Sequence, residues 1–329
     1  MKFQLYNFQR IQKYISKRAG ETKLGEHIQF VKNLEDLDNT SAQYVLIGIP
    51  EDFGVRANHG IGGTQTIWKS FLTKFLNIQE NQYQTGESIV LLGAFDFSEE
   101  YQKNLYNISD LRKLVAEIDQ NIFQILIKVF KAGKVPIIIG GGHNNSFSNL
   151  KAASLGLKQS INCVNLDAHA DFRETEGRHS GNGFRYAKQD GFLNKYYMIG
   201  LHENYNSQVL LDNLNIDLNL DFTLFEEIKI KQEITLSDSF KKAKQFVQGN
   251  PVGIELDLDC IEGVLSSAMT PSGFSTNEAR QFIHYFKKNV APIYLHICEG
   301  ASELKNGEVS TQTGKLVSYL VSDFIKIVL

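Results

Sequence analysis

The run INCVNLDAHAD, residues 161–171, sets the fold. Its first six residues are mostly apolar and carry no charge; its last five present Asp167, His169 and Asp171 at alternate positions. An apolar run without regular polar alternation belongs to a strand covered on both faces, as in a parallel sheet between two helix layers. Polar residues at the point where such a run stops lie at the carboxyl edge of the sheet, where α/β proteins bind their ligands. Working outward, similar runs recur at 44–49, 88–92, 135–139, 196–201, 220–224, 252–258 and 292–297, so about eight strands are expected. Most are separated by stretches long enough for a helix. The clearest begins at Ser109 and places Leu111, Leu114, Val115, Ile118, Ile122, Ile125 and Val129 on one face before Gly133. The expected architecture is α/β: a three-layer α/β/α arrangement around a mostly parallel, about eight-stranded sheet.

The rest of the chain limits what such a fold can do. A length of 329 residues admits one large domain or two. Only five prolines and no Ser/Gly/Pro-rich linker leave no obvious place to divide it, so one domain over 1–329 is expected, with 1–40 a polar, amphipathic lead-in. Thirty-four Lys and Arg stand against 37 Asp and Glu, a net charge of -3, which offers no basic field to nucleic acid or to an anionic membrane. No stretch reaches the roughly 18 apolar residues of a membrane span, and the first residues lack the pattern of a secretory leader. Cys163, Cys260 and Cys298 are far apart and each lies in a hydrophobic run, as free buried thiols of a reducing, cytoplasmic compartment would.

Two other apolar runs end as 161–171 does. VPIII is followed by Gly140, Gly141, Gly142 and His143, and VGIELDLD contains Asp257 and Asp259. Each motif alone has an ordinary explanation, a solvated acidic loop or a glycine turn. Together they bring four carboxylates and two imidazoles to one edge of one sheet. Carboxylates crowded at the floor of a cleft repel each other and lose hydration, a penalty that divalent cations remove. Oxygen and imidazole donors without thiolates suit Mn²⁺ first, and also Fe²⁺, Co²⁺ or Zn²⁺. The period of two in an extended segment lets Asp167, His169 and Asp171 face one pocket, and likewise Asp257 and Asp259.

GGGH, DAHAD and DLDCIE, in this order, resemble the ureohydrolase superfamily of arginases, agmatinases and formimidoylglutamases over most of the chain. The resemblance implies two Mn²⁺ ions per chain, one held by His143, Asp167, Asp171 and Asp257, the other by Asp167, His169, Asp257 and Asp259. It also implies hydrolysis at an amidine or guanidine carbon. Asp171 would orient the attacking hydroxide and pass its proton to the leaving amine, and Glu299 would hold the amidinium or guanidinium nitrogens. Ser180, Gly181 and Asn182 match a substrate-contacting segment. Trimers or hexamers are frequent in the superfamily, so a homo-oligomer acting on a small molecule is expected. Two departures stand out: Glu262 and Gly263 replace a usual Asp-Pro, and Phe184 stands where arginases carry a histidine. The segments GGGHNN and EGRHSGNGF are most similar to formimidoylglutamases.

Arg173, Arg178 and His179 follow the DAHAD motif closely. Guanidinium forks bind carboxylates in a bidentate way, which predicts a substrate with an anionic tail. N-formimino-L-glutamate, hydrolysed to L-glutamate and formamide, has an amidine carbon at one end and carboxylates at the other; agmatine would be repelled. Pairing of these arginines with Glu174 or Glu176 is the competing arrangement. An arginase or guanidino-acid hydrolase would release urea instead of formamide. An inactive metal-binding relative is disfavoured because all six ligand positions are filled.

Overall fold

The computed structural model describes residues 1–103 and 107–327. Among the described residues nine strands form one sheet: β1 (Lys2–Leu5), β2 (Tyr44–Gly48), β3 (Ile89–Asp96), β4 (Val135–Ile139), β5 (Ile161–Leu166), β6 (Leu193–Leu201), β7 (Leu220–Leu224), β8 (Val252–Asp257) and β9 (Tyr294–Cys298). Their order across the sheet is β1-β3-β2-β4-β9-β8-β5-β6-β7. Every pairing is parallel except that of β1 with β3. All eight expected strands are present. The ninth is β1, in the segment read as a lead-in: a four-residue edge strand, one residue exposed and three half-buried, too short for its periodicity to register.

Successive side chains of each strand feed opposite faces of the sheet, which yields two separate cores. On one face Leu46, Leu91, Ile137, Val164, Ile254 and Leu295 pack against the helices Ile67–Phe75, Leu236–Phe246, Thr276–Val290 and Thr313–Ile325. On the other, Val45, Val90, Ile138, Cys163, Tyr196 and Met198 meet Ile108–Lys131, Ser146–Leu157 and Gly183–Gln189. Helix Ile108–Lys131 starts at an Asn107 cap and buries Leu111, Leu114, Val115, Ile118, Ile122 and Val129 of the expected stripe, with Leu126 buried in place of the half-buried Ile125. It also buries Asp119, which the apolar stripe does not announce.

All three cysteines are free and buried. Among the described residues no helix is long and apolar enough to cross a membrane. For the chemistry, the decisive feature is that β4, β9, β8 and β5 are consecutive at the centre of the sheet. Parallel strands all end on the same edge, so the segments after these four converge.

Candidate metal centre and active-site cleft

The glycines after β4 let the chain turn sharply into His143. Gly140 and Gly141 have φ of 92° and 77°, and a Cβ on Gly141 would lie 2.1 Å from Asn145 Nδ2 and 2.7 Å from Glu51 Oε1. The buried Glu51 carboxylate holds this turn, accepting from the Gly142 N–H at 3.0 Å and Asn145 Nδ2 at 3.0 Å on one oxygen and from the Phe53 N–H at 2.7 Å on the other. Burial drives the Glu51 carboxyl upward, opposed by the N–H groups of Gly142 and Gly54 and the Asn144 amide. Glu51 lies just beyond the end of β2, so the strand-end rule that exposed the other motifs would have found it.

After β5 and β8 the chain repeats one local device. Asp167 Oδ1 accepts the His169 N–H at 2.7 Å, and Asp257 Oδ1 accepts the Asp259 N–H at 2.8 Å. Each is an Asx-type turn that bends the chain and leaves the accepting aspartate's other oxygen, Oδ2, facing His143. Asp171 reaches the same point through a left-handed backbone, φ 47°, rather than by simple extended alternation.

The result is a ring of donors around His143. Its Nδ1 lies 3.1 Å from Asp167 Oδ2, 2.8 Å from Asp171 Oδ2 and 3.1 Å from Asp257 Oδ2, yet makes no well-aligned hydrogen bond to any of them. One ring nitrogen cannot donate one proton to three carboxylates. A buried nitrogen and three converging anionic oxygens are instead the donor set of a hard or borderline divalent cation. A second set consists of Asp167, His169 and Asp259, with His169 Nδ1 3.2 Å from Asp259 Oδ2. Asp167 is shared between the two sets, as expected of a bridging ligand; Asp257, expected to bridge as well, joins only the first.

The electrostatics suit a cation-binding cluster. Burial and the neighbouring Asp167 carboxylate push Asp171 up to about 6; burial, Asp259 and Asp167 push Asp257 well above the carboxylate range. Burial also opposes the Asp167 charge, but the adjacent imidazoles of His143 and His169 hold it at about 2. Glu299, pushed up to about 8 by burial and Asp259, completes the wall. Its backbone is left-handed at φ 61°, its N–H donates to Gly141 O at 3.0 Å, and its Oε1 accepts the His143 N–H at 2.8 Å. Left-handed non-glycine residues are costly and persist where the surroundings fix them; Asp171, Glu299 and His59 are three such residues around one cleft.

That cleft has a volume of about 320 Å³ and is lined by Asp171, Asp257, Asp259, His169, Glu299, Arg173 and Ser180, with Asn58, His59 and Tyr205 among the residues not foreseen. Asn58 and His59 come from the turn after the short helix Phe53–Ala57, which has no motif to mark it. Tyr205 stacks on the His169 ring, centroids 5.2 Å apart.

The expected anionic-tail contacts divide. Arg173 stands at the cleft with 55% of its side chain exposed, its Nη1 3.1 Å from Asn58 Oδ1 and its Nη2 3.7 Å from Glu176. Arg178 does not belong to the cleft, which corrects the expectation. It is buried, giving Nε–H to Asp119 Oδ2 at 2.8 Å, Nη1–H to Asn182 Oδ1 at 2.7 Å and Nη2–H to Asn144 O at 2.8 Å, with Phe147 and Tyr186 each 4.9 Å from its guanidinium. The buried acid on helix Ile108–Lys131 draws it inward. Asn182 is likewise spent inside the loop, on Arg178, the His179 N–H and the carbonyls of Glu174 and Gly177. His179 is buried, its Nδ1 accepting the Gly181 N–H and its Nε2 3.1 Å from Glu176. Of the loop residues, Ser180 and the Gly181 backbone remain at the cleft.

Phe184 packs edge-on against His143, centroids 5.0 Å apart, and stacks on Tyr196, so no proton carrier occupies that position. Glu262 is exposed and outside both donor sets. Gly263 adopts φ 69°, which proline cannot, so the loop takes a course of its own there.

Known proteins share this architecture. The Arginase family model matches residues 42–325. Formimidoylglutamase of Macrococcus caseolyticus is 25% identical over 280 residues, covering 84% of this chain and 82% of the relative. Formimidoylglutamase of Streptococcus pyogenes is 24% identical over 233 residues, 66% of this chain and 64% of the relative. Among solved structures, formimidoylglutamase from Bacillus subtilis superposes with a TM-score of 0.73 at 17% identity, covering 94% of this chain and 93% of that one. Trypanosoma cruzi formiminoglutamase with Mn²⁺ gives 0.71 at 18% identity, covering 93% and 97%.

Proposed function

The chain belongs to the arginase family, hydrolases of amidine and guanidine C–N bonds, and we propose that it is a binuclear manganese enzyme that converts N-formimino-L-glutamate and water to L-glutamate and formamide. The carrying observation is polarity: a cluster of acids that includes Glu299 lines the cleft together with the Arg173 guanidinium. Such a cleft orients a substrate that is cationic at the reacting end and anionic at the other. His143, Asp167, Asp171 and Asp257 would hold one ion, and Asp167, His169 and Asp259 the other. Two such ions would supply a water of lowered pKa and positive charge for a tetrahedral centre.

The chain's own groups do the rest. Glu299 gives one oxygen to the His143 N–H, leaving the other for an amidinium N–H. Asp171, at the cleft wall, is placed to take a proton from water and return it to the departing glutamate nitrogen. Arg173, braced by Asn58, pairs with a substrate carboxylate, and Ser180 Oγ adds a donor beside it. The relatives named formimidoylglutamase support this substrate.

One observation favours a second reading. With Arg178 withdrawn, Arg173 is the one guanidinium lining the cleft among the described residues, which would also serve a guanidino acid with a single carboxylate. Product analysis decides between them. Mn²⁺-loaded protein should release formamide from formiminoglutamate and little urea from arginine, agmatine or guanidinobutyrate. Faster urea release from any of these would transfer the chain to the guanidino hydrolases.

A further inference from the structure

Beneath His143, on the side away from the cleft, lies a buried polar group that the reaction above does not use. Glu255 on β8 and His296 on β9 face each other, with Glu255 Oε2 2.5 Å from His296 Nδ1 and both residues fully buried. Tyr294 donates its hydroxyl to Glu255 Oε1 at 2.9 Å, and Asn149 Nδ2 approaches the same oxygen at 3.4 Å. His143 Nε2 makes no well-aligned hydrogen bond and faces Glu255 Oε2 at 3.5 Å. The His143 and His296 rings lie edge to face, centroids 5.9 Å apart.

A buried polar pair of this kind is weak evidence for stability, because apolar side chains of similar volume often serve as well. Its position suggests another use. His143 Nδ1 faces three carboxylates and must present a lone pair if a cation is bound, so the ring proton has to sit on Nε2. A carboxylate behind that proton fixes the tautomer, sets the ring plane and makes the imidazole a stronger donor to metal. We infer that Glu255, itself held by His296 and Tyr294, is a positioning residue that strengthens the metal site His143 forms with Asp167, Asp171 and Asp257. This rests on the two-ion reading above.

The experiment measures Mn²⁺ binding by the free-ion EPR signal, alongside thermal unfolding of the metal-free protein. Wild type should bind two ions; binding of fewer would defeat the proposed function itself, independently of Glu255. His143→Asn identifies which ion depends on His143. Glu255→Gln keeps the shape and removes the charge, and should weaken that same ion by about ten- to a hundredfold while the other stays within about twofold. Tyr294→Phe removes one donor to Glu255, keeps the ring, and should shift the same ion in the same direction by about two- to tenfold, so the test survives a Glu255 variant that does not fold. Wild-type affinity for both ions in the variants that fold would overturn the inference. So would equal weakening of both ions with a lower unfolding temperature, the signature of general damage. A third tightly bound ion, lost on Cys298→Ala, would also overturn it, because His143, His296 and Cys298 would then be ligands themselves.

Discussion

Arg173 reaches the cleft with little to hold it besides Asn58 and Glu176, so its removal should be felt by substrate more than by the fold. Arg173→Ala should raise KM for formiminoglutamate about ten- to a hundredfold, the worth of one charge-assisted contact, with bound metal unchanged. Steady-state kinetics with metal analysis checks this; an unchanged KM would remove Arg173 from substrate binding. Glu299→Gln should act differently. The amide can still accept the His143 N–H but can no longer offset an amidinium charge, so kcat should fall by about ten- to a hundredfold while two ions stay bound. Loss of an ion in that variant would make Glu299 a support of the metal site instead. At this scale the sequence disclosed residue types and little about direction. Arg173 and Arg178 read alike in the chain, and only the buried Asp119, 59 residues before Arg178, separates their roles.

The loop after β5 behaves as a built element. Arg178 ties it to helix Ile108–Lys131 through Asp119 and to the turn after β4 through the Asn144 carbonyl, while Asn182 closes the loop on itself. Burial drives the Asp119 carboxyl upward, against the pull of the Arg178 guanidinium and the Ser148 hydroxyl. Arg178→Ala would leave that acid buried without its partner. The expected cost is about 3–5 kcal/mol of stability, read from denaturant unfolding, with secondary effects on KM. A variant as stable as wild type with a selectively raised KM would restore Arg178 to the substrate site. The strands of this fold were legible because burial on both faces writes continuous apolar runs, and helix Ile108–Lys131 because one face of it is buried. Strand β1 was not, since four residues at a sheet edge, with only Phe3 and Leu5 packed on the core, are too few to establish a period.

Across the whole molecule, the donor sets draw on the ends of β4, β5 and β8, so cations would join segments far apart in the chain. Metal-depleted protein should therefore lose activity and unfold at a lower temperature, and Mn²⁺ should restore both. A ligand at a hundredfold its Kd adds about 2.7 kcal/mol to the folded state, a rise that calorimetry resolves. An unfolding temperature insensitive to Mn²⁺ would argue against these residues as ligands. The sequence by itself determined the sheet, its two helix layers and the six metal-ligand candidates, because apolar runs and the polar residues that stop them are local properties of the chain. Which arginine faces the cleft, that Asn58, His59 and Tyr205 line it, that Glu51 braces the glycine turn, and that Glu255 and His296 lie behind His143 were decided by the tertiary structure alone. Each of these depends on a partner brought close by the order of strands in the sheet, and that order is set by packing between residues far apart in sequence.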